Sequence, residues 1–211
     1  MTMTDEIALA RIKPQDIEAE SFRIIEAELG GHGFSDAEFA LVRRVIHATG
    51  DFSFTETIRF HPRAIEAGCR AISSGKNILV DVAMAAAGIS VSLLQPHGGR
   101  VVCRVADPEV ADLARQKGMT RSEAAMEMGL SDEIGIVAIG NAPTALLKVM
   151  EMTRRGQAGP ELVIGVPVGF VNAAESKALL ARQQFPFITS LGRKGGTPVA
   201  VAMVNALLRL L

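Results

Sequence analysis

One residue in this chain suited to moving a proton is a histidine near the end of a helical pattern. In Arg43-Arg44-Val45-Ile46-His47-Ala48-Thr49-Gly50, Arg44 and His47 are three positions apart and share a face of a helix. An imidazole has an unperturbed pKa of about 6.5 and can give or take a proton near neutrality. The simpler role for His47 is to complement the negative end of a helix dipole. Asp81 closes the apolar run Asn77-Ile78-Leu79-Val80, where a charge is costly unless it is paired or hydrogen-bonded. It therefore either caps a loop or belongs to a site. Lys177, in Ala174-Glu175-Ser176-Lys177, has the reach and charge for a ligand carboxylate, or is solvated helix surface. Arg121 stands in the first turn of a helix, against the dipole preference for acids there, either held for an anion or as plain surface.

Other chemistries lack their patterns. His32, His47, His61 and His97 are scattered, with no H-x-H, no H-E-x-x-H and no C-x-x-C nearby, so no metal site is expected. There is no G-x-S-x-G nucleophile elbow. Gly192-Arg193-Lys194-Gly195-Gly196-Thr197 is glycine-rich and basic but in the wrong order for a P-loop, and no G-x-G-x-x-G follows a strand. It reads as an anion-binding loop or an ordinary tight turn.

The elements that must hold these residues follow from pattern. Pro14 suits a first turn, with Phe22, Ile25 and Leu29 at helical spacing behind it. A second helix opens with the capping box Ser35 to Glu38, turns Phe39, Val42 and Ile46 inward and stops near Gly50. Pro62 starts a short helix ending at Gly75, and residues 77–81 read as a buried strand. Residues 101–105 are strand-like, Asp107-Pro108 begins a helix, and Thr120 with Glu123 begins another through a second capping box. The last third alternates clearly. Strands over 134–139, 162–166 and 187–191 each run into a glycine-containing loop and then a helix. Alternation of this kind predicts an α/β fold: three layers, a mostly parallel sheet with helices on both faces, and right-handed crossovers. The chain reads as one domain over 1–211, with a helical segment over about 14–50 packing on the α/β body. In such sheets ligands bind beyond the strand carboxyl ends, where helix N-termini offer free N–H groups to anions.

Composition narrows the partners. Of 211 residues, 48% are hydrophobic and 21% charged, the formal net charge is -1, and there are nine Phe but no Trp or Tyr. A surface for nucleic acid needs excess positive charge and stacking aromatics, so nucleic acid is not expected as a partner. The apolar tract over 78–94 is broken by Asp81 and Gly88 and is short for a membrane span, and no signal peptide is read. With two cysteines, Cys69 and Cys103, no disulfide framework is expected, which fits a reducing, cytoplasmic setting.

Several motifs together carry a resemblance. Ile46-His47-Ala48-Thr49-Gly50, Thr120-Arg121-Ser122, Gly140-Asn141-Ala142-Pro143-Thr144-Ala145-Leu146, Val166-Pro167-Val168-Gly169-Phe170-Val171 with Ala174-Glu175-Ser176-Lys177, and Gly192-Arg193-x-Gly195-Gly196 occur in that order. The chain from about Ile17 onward resembles the precorrin-8X methylmutase family of cobalamin biosynthesis. The resemblance implies an isomerase that moves a methyl group from C-11 to C-12 of precorrin-8X or cobalt-precorrin-8, giving hydrogenobyrinate or cobyrinate. It implies His47 as the general acid and no cofactor, because the methyl never leaves the substrate. It implies substrate contacts at Ser21, Arg44, Asp81, Arg121, Ser122, Asn141, Thr144, Lys177, Gly195 and Gly196, no metal ligands, and a homodimer with the site near the interface. A corrinoid-binding or carrier protein without catalysis is the alternative.

Overall fold

The computed structural model describes residues 12–157 and 159–211. The chain divides into two compact units, one ending at Gly33 and the other running from Phe34 to Leu211.

In the first unit Pro14 opens a 3-10 turn, Pro14–Asp16, that runs into α1 (Ile17–Leu29). Proline costs nothing there, since its missing N–H would have no partner in a first turn. Ser21 lies on α1 and donates its hydroxyl to the Ile17 carbonyl at 2.8 Å, and the neighbouring Glu20 grips the Arg23 guanidinium through both carboxylate oxygens, at 2.6 and 2.7 Å.

The second unit starts with α2 (Asp36–Thr49), entered through the expected capping box. The Ser35 hydroxyl accepts from the Glu38 N–H, and the Glu38 carboxylate accepts from the Ser35 N–H. Leu41, Val42, Val45 and Ile46 are buried at helical spacing, and Gly50 ends the helix in the left-handed conformation at φ 66°. There follow α3 (Phe54–Thr57), β1 (Ile58–Phe60), α4 (Ala64–Ser73), β2 (Asn77–Val80), α5 (Ala83–Gly88), α6 (Val91–Leu94) and β3 (Val101–Val102). Then come α7 (Pro108–Lys117), α8 (Arg121–Gly129), β4 (Ile134–Ile139), α9 (Pro143–Arg154), β5 (Leu162–Gly165), α10 (Ala173–Leu180), β6 (Phe187–Ser190) and α11 (Thr197–Leu208).

Six strands form one sheet in the order β1-β6-β5-β4-β2-β3. Five run parallel, as the alternation predicts, and β1 pairs antiparallel with β6, with Ile58 opposite Ser190. Strands β2, β4, β5 and β6 are buried along their whole length, the pattern of parallel strands covered on both faces. Alternate residues separate the layers. Leu79, Val137, Ile139 and Val163 enter a core with Val110, Ala124, Leu146 and Val149 of α7, α8 and α9. On the other face α11 packs against α2, α4 and α5. Each fully buried Val, Leu or Ile stabilises by about 1.5–3 kcal/mol, so the central strands are firm bases for the loops that leave them.

The differences from the sequence reading are local. The strand expected over 101–105 pairs only at Val101 and Val102, because a turn closed by the Asp107 N–H on the Arg104 carbonyl takes the chain off the sheet. The helix expected from Pro62 begins at Ala64, after a turn in which the Ala64 N–H bonds the His61 carbonyl.

Candidate active site

The carboxyl ends of β2, β4, β5 and β6 lie along one edge of the sheet, and the loops that leave them are hydrogen-bonded to one another. Asp81 is the first residue past β2 and is fully buried. Its two oxygens accept from three successive N–H groups of the loop after β4: Gly140 at 3.2 Å, Asn141 at 2.8 Å and Ala142 at 2.8 Å. Burial pushes the Asp81 carboxyl up from its ordinary pKa, and the three N–H groups oppose that shift. These three hydrogen bonds go to the loop, so the carboxylate fixes the start of α9 from below. Asn141 stays exposed on that loop. Thr144, in the first turn of α9, shares a 3.0 Å hydroxyl contact with Thr120, the cap of α8, so the N-termini of both helices sit side by side. Arg121 and Ser122 are the first two residues of α8, Arg121 exposed and Ser122 half-buried.

The loop after β6 approaches closely enough that two of its contacts require glycine. A Cβ on Gly140 would lie 2.6 Å from the Cα of Thr197 and 2.7 Å from its nitrogen. Gly195, at φ 155°, would drive a Cβ into the Val166 carbonyl oxygen, and the next N–H, of Gly196, donates to that same oxygen at 2.8 Å. The loop after β5 joins through the Gly169 N–H, which donates to the Arg193 carbonyl at 3.2 Å.

His47 lies on the last turn of α2, exposed, with Arg44 half-buried one turn earlier. Just past the helix, Asp51 accepts from the Lys194 ammonium at 2.7 Å, and the Ser53 hydroxyl lies 2.8 Å from the same nitrogen. The exit of α2 is thereby tied to the glycine-rich loop. The Lys194 hydrogen bond, with help from Ser53, holds the Asp51 carboxyl down at about 2. A carboxyl lowered in the folded state contributes stability above its unfolded value, near 3.8, and loses it only as pH falls toward 2. The tie therefore persists at any ordinary working pH, and with Lys194 exposed it is worth at most about 1 kcal/mol.

Lys177 is buried under the same loop and donates to the Lys194 carbonyl at 2.5 Å, an oxygen that also accepts from the Ser190 hydroxyl at 3.1 Å. Loss of hydration pushes its ammonium down to about 8. Between about 8 and the ordinary 10.5 the unfolded chain binds more protons than the folded one, so stability rises with pH across that window and the penalty is full below it. Lys177→Met is expected to raise Tm at pH 7 by a few degrees, at about 2–4 °C per kcal/mol, and to flatten the rise between pH 8 and 10. Calorimetry across that range checks this, and a Tm well below the parent's at pH 7 contradicts it.

The sequence motifs thus converge: Asp81, Asn141, Thr144, Arg121, Gly195, Gly196 and Lys177 surround one set of strand ends, and His47 stands four residues before Asp51, which is tied to the loop after β6. Ser21 belongs to the first unit. Sequence reasoning passed over the pairing of Asp51 with Lys194, 143 positions apart, for which no local pattern exists. It also passed over the exposure of Phe170 and Val171, which it named only as part of a motif. Among the described residues no three His, Cys, Asp or Glu side chains gather as a metal-binding group, and no helix is long and apolar enough to cross a membrane.

A sequence profile described as precorrin-8X methylmutase matches residues 16–210. The chain belongs to the precorrin-8X methylmutase family. Methylmutases of both names are similar to it. A cobalt-precorrin-8 methylmutase of Priestia megaterium is 44% identical over 98% of this chain and 92% of the relative. A precorrin-8X methylmutase of a Sinorhizobium species is 41% identical over 90% and 91%. The crystal structure of precorrin-8X methylmutase from Thermus thermophilus superposes with a TM-score of 0.85 at 49% identity, covering 93% of this chain and 95% of that one. The chain is thus a methylmutase of cobalamin biosynthesis, and the loops described above are the motifs on which the resemblance rests.

Proposed function

We propose that the protein moves a methyl group from C-11 to C-12 of a corrinoid ring, converting precorrin-8X to hydrogenobyrinate or cobalt-precorrin-8 to cobyrinate, with His47 as general acid. The observation that carries the reading is an exposed imidazole on a helix whose exit is tied to the loop after β6, one of three glycine-containing loops that each run into a helix N-terminus at one edge of the sheet. A corrinoid is a broad apolar disc with carboxylate side chains, and such a rim suits scattered donors better than one basic patch. The Gly195 N–H, the side chains of Asn141, Thr144 and Ser122, and the guanidinium groups of Arg44 and Arg121 serve as those donors, with Gly196, whose own N–H is held by the Val166 carbonyl, shaping the loop beside them. Asp81 and Lys177 act from beneath, by holding the loops.

His47 donates its proton to a ring nitrogen, which leaves the adjoining imine carbon electron-poor. The methyl then migrates with its bonding pair: the C-11 to methyl bond breaks, the C-12 to methyl bond forms, and the nitrogen returns its proton. Substrate and product have the same atoms, so no co-reactant is consumed. The protein works as a homodimer with the site near the interface, a reading carried over from the family resemblance, and in the cytoplasm, the setting its two cysteines fit.

Incubation with precorrin-8X and with cobalt-precorrin-8, without added cofactor, followed by absorption spectroscopy, tests the reading. Carbon C-11 joins the conjugated system when its methyl departs, so the spectrum of at least one substrate is expected to change. Substrate that binds with an unaltered spectrum would contradict catalysis and leave a corrinoid carrier.

A further inference from the structure

The loop after β5 exposes an apolar run that the fold does not use. Phe170 is 85% exposed, Val171 77% and Val168 48%, at the same sheet edge as the loops above. Contiguous exposed apolar surface of this kind marks an interaction site. Its neighbour supplies charge. The Arg193 guanidinium, on the loop after β6, lies 5.3 Å from the centre of the Phe170 ring, and the Gly169 N–H donates to the Arg193 carbonyl, so the two loops carry the pair as one piece. The adjacent cations of that loop have different surroundings. Lys194 is engaged with Asp51, whereas Arg193 makes no ion pair among the described residues and remains exposed. An exposed arginine held over an aromatic ring is suited to grip a planar carboxylate through two parallel bonds.

We propose that Phe170 and Arg193 form a subsite for the rim of the corrinoid, the ring packing against the macrocycle's edge and the guanidinium taking one of its side-chain carboxylates. The proposal rests on the methylmutase reading and adds two binding residues to it. A second copy of the chain has apolar surface to cover Phe170 but does not account for a cation left without an acidic partner beside it. The corrinoid, apolar with an anionic periphery, accounts for both.

Titration of the intact protein with hydrogenobyrinate and with cobyrinate, read by absorption, tests this, with sedimentation run on every variant. Arg193→Ala is expected to weaken binding by about tenfold or more and to make Kd less dependent on salt, Arg193→Lys to recover only part of the loss, and Phe170→Ala to weaken binding several-fold. In turnover, KM rises for all three while kcat stays close to the parent's. Variants that bind as tightly as the parent overturn the subsite. So do variants that lose affinity only in proportion to a change in oligomeric state, which would assign the patch to contact between copies. A parent that binds neither corrinoid overturns the methylmutase reading itself, an outcome distinct from either.

Discussion

Replacement of His47 by alanine is expected to slow methyl migration by about 10²- to 10⁴-fold while corrinoid affinity stays within a few-fold of the parent's. The separation follows from the residue's position. His47 is exposed on the last turn of α2, and its removal vacates no buried volume. The helix keeps its capping box, its four buried residues and its glycine stop, so folding is expected to be unaffected. The variant lacks the positioned proton. Single-turnover measurements on purified His47→Ala with either substrate check this, since they report chemistry free of product release. A variant that turns over at the parent rate would remove the acid role.

The second large effect belongs to Asp81. Alanine there would leave the N–H groups of Gly140 and Ala142 without their acceptor in a buried place, at about 1–3 kcal/mol each, and that of the more exposed Asn141 at less. A loss of several kcal/mol is a large share of the roughly 5–15 kcal/mol that holds a domain folded, so Asp81→Ala is expected to be poorly stable. Asp81→Asn preserves shape and one acceptor but turns an NH₂ group toward an N–H. It is expected to fold, with a midpoint in urea below the parent's, and to lose at least tenfold in kcat because Asn141 and Thr144 shift with the loop. Urea unfolding and turnover on the same preparations check both. An Asp81→Asn enzyme with the parent's stability and rate would show that the loop is held by something else.

These two residues also show where sequence stops being informative. His47 could be placed on a helix end from local signals alone, since Ser35, Glu38 and Gly50 mark both ends of α2 and the structure has the same boundaries. The strand-loop-helix units of the last third were legible for the same reason: apolar runs followed by glycine and proline at helix starts. Asp81 was visible as a costly charge, but its partners lie some 60 positions away, and only the parallel pairing of β2 with β4 brings them together. Lys177 reads as a surface or ligand-facing residue because periodicity treats every lysine as polar, whereas it is buried under the glycine-rich loop. Strand β1 is three residues long, Ile58-Arg59-Phe60, too short to show alternation, and its antiparallel pairing is set by contact with β6. Local chemistry therefore gave the ends of the elements, while the joints between distant loops came from the fold.

Tracking the migrating carbon tests the central claim most directly. Substrate carrying ¹³C in the methyl on C-11, incubated with the purified protein and no cofactor, is followed by carbon NMR. The expected result is a single labelled methyl resonance that moves from a carbon bonded to C-11 to one bonded to C-12, with the label fully retained in the same molecule. A label that stays on C-11 while substrate binds, or that leaves the corrinoid, would contradict an intramolecular methyl shift.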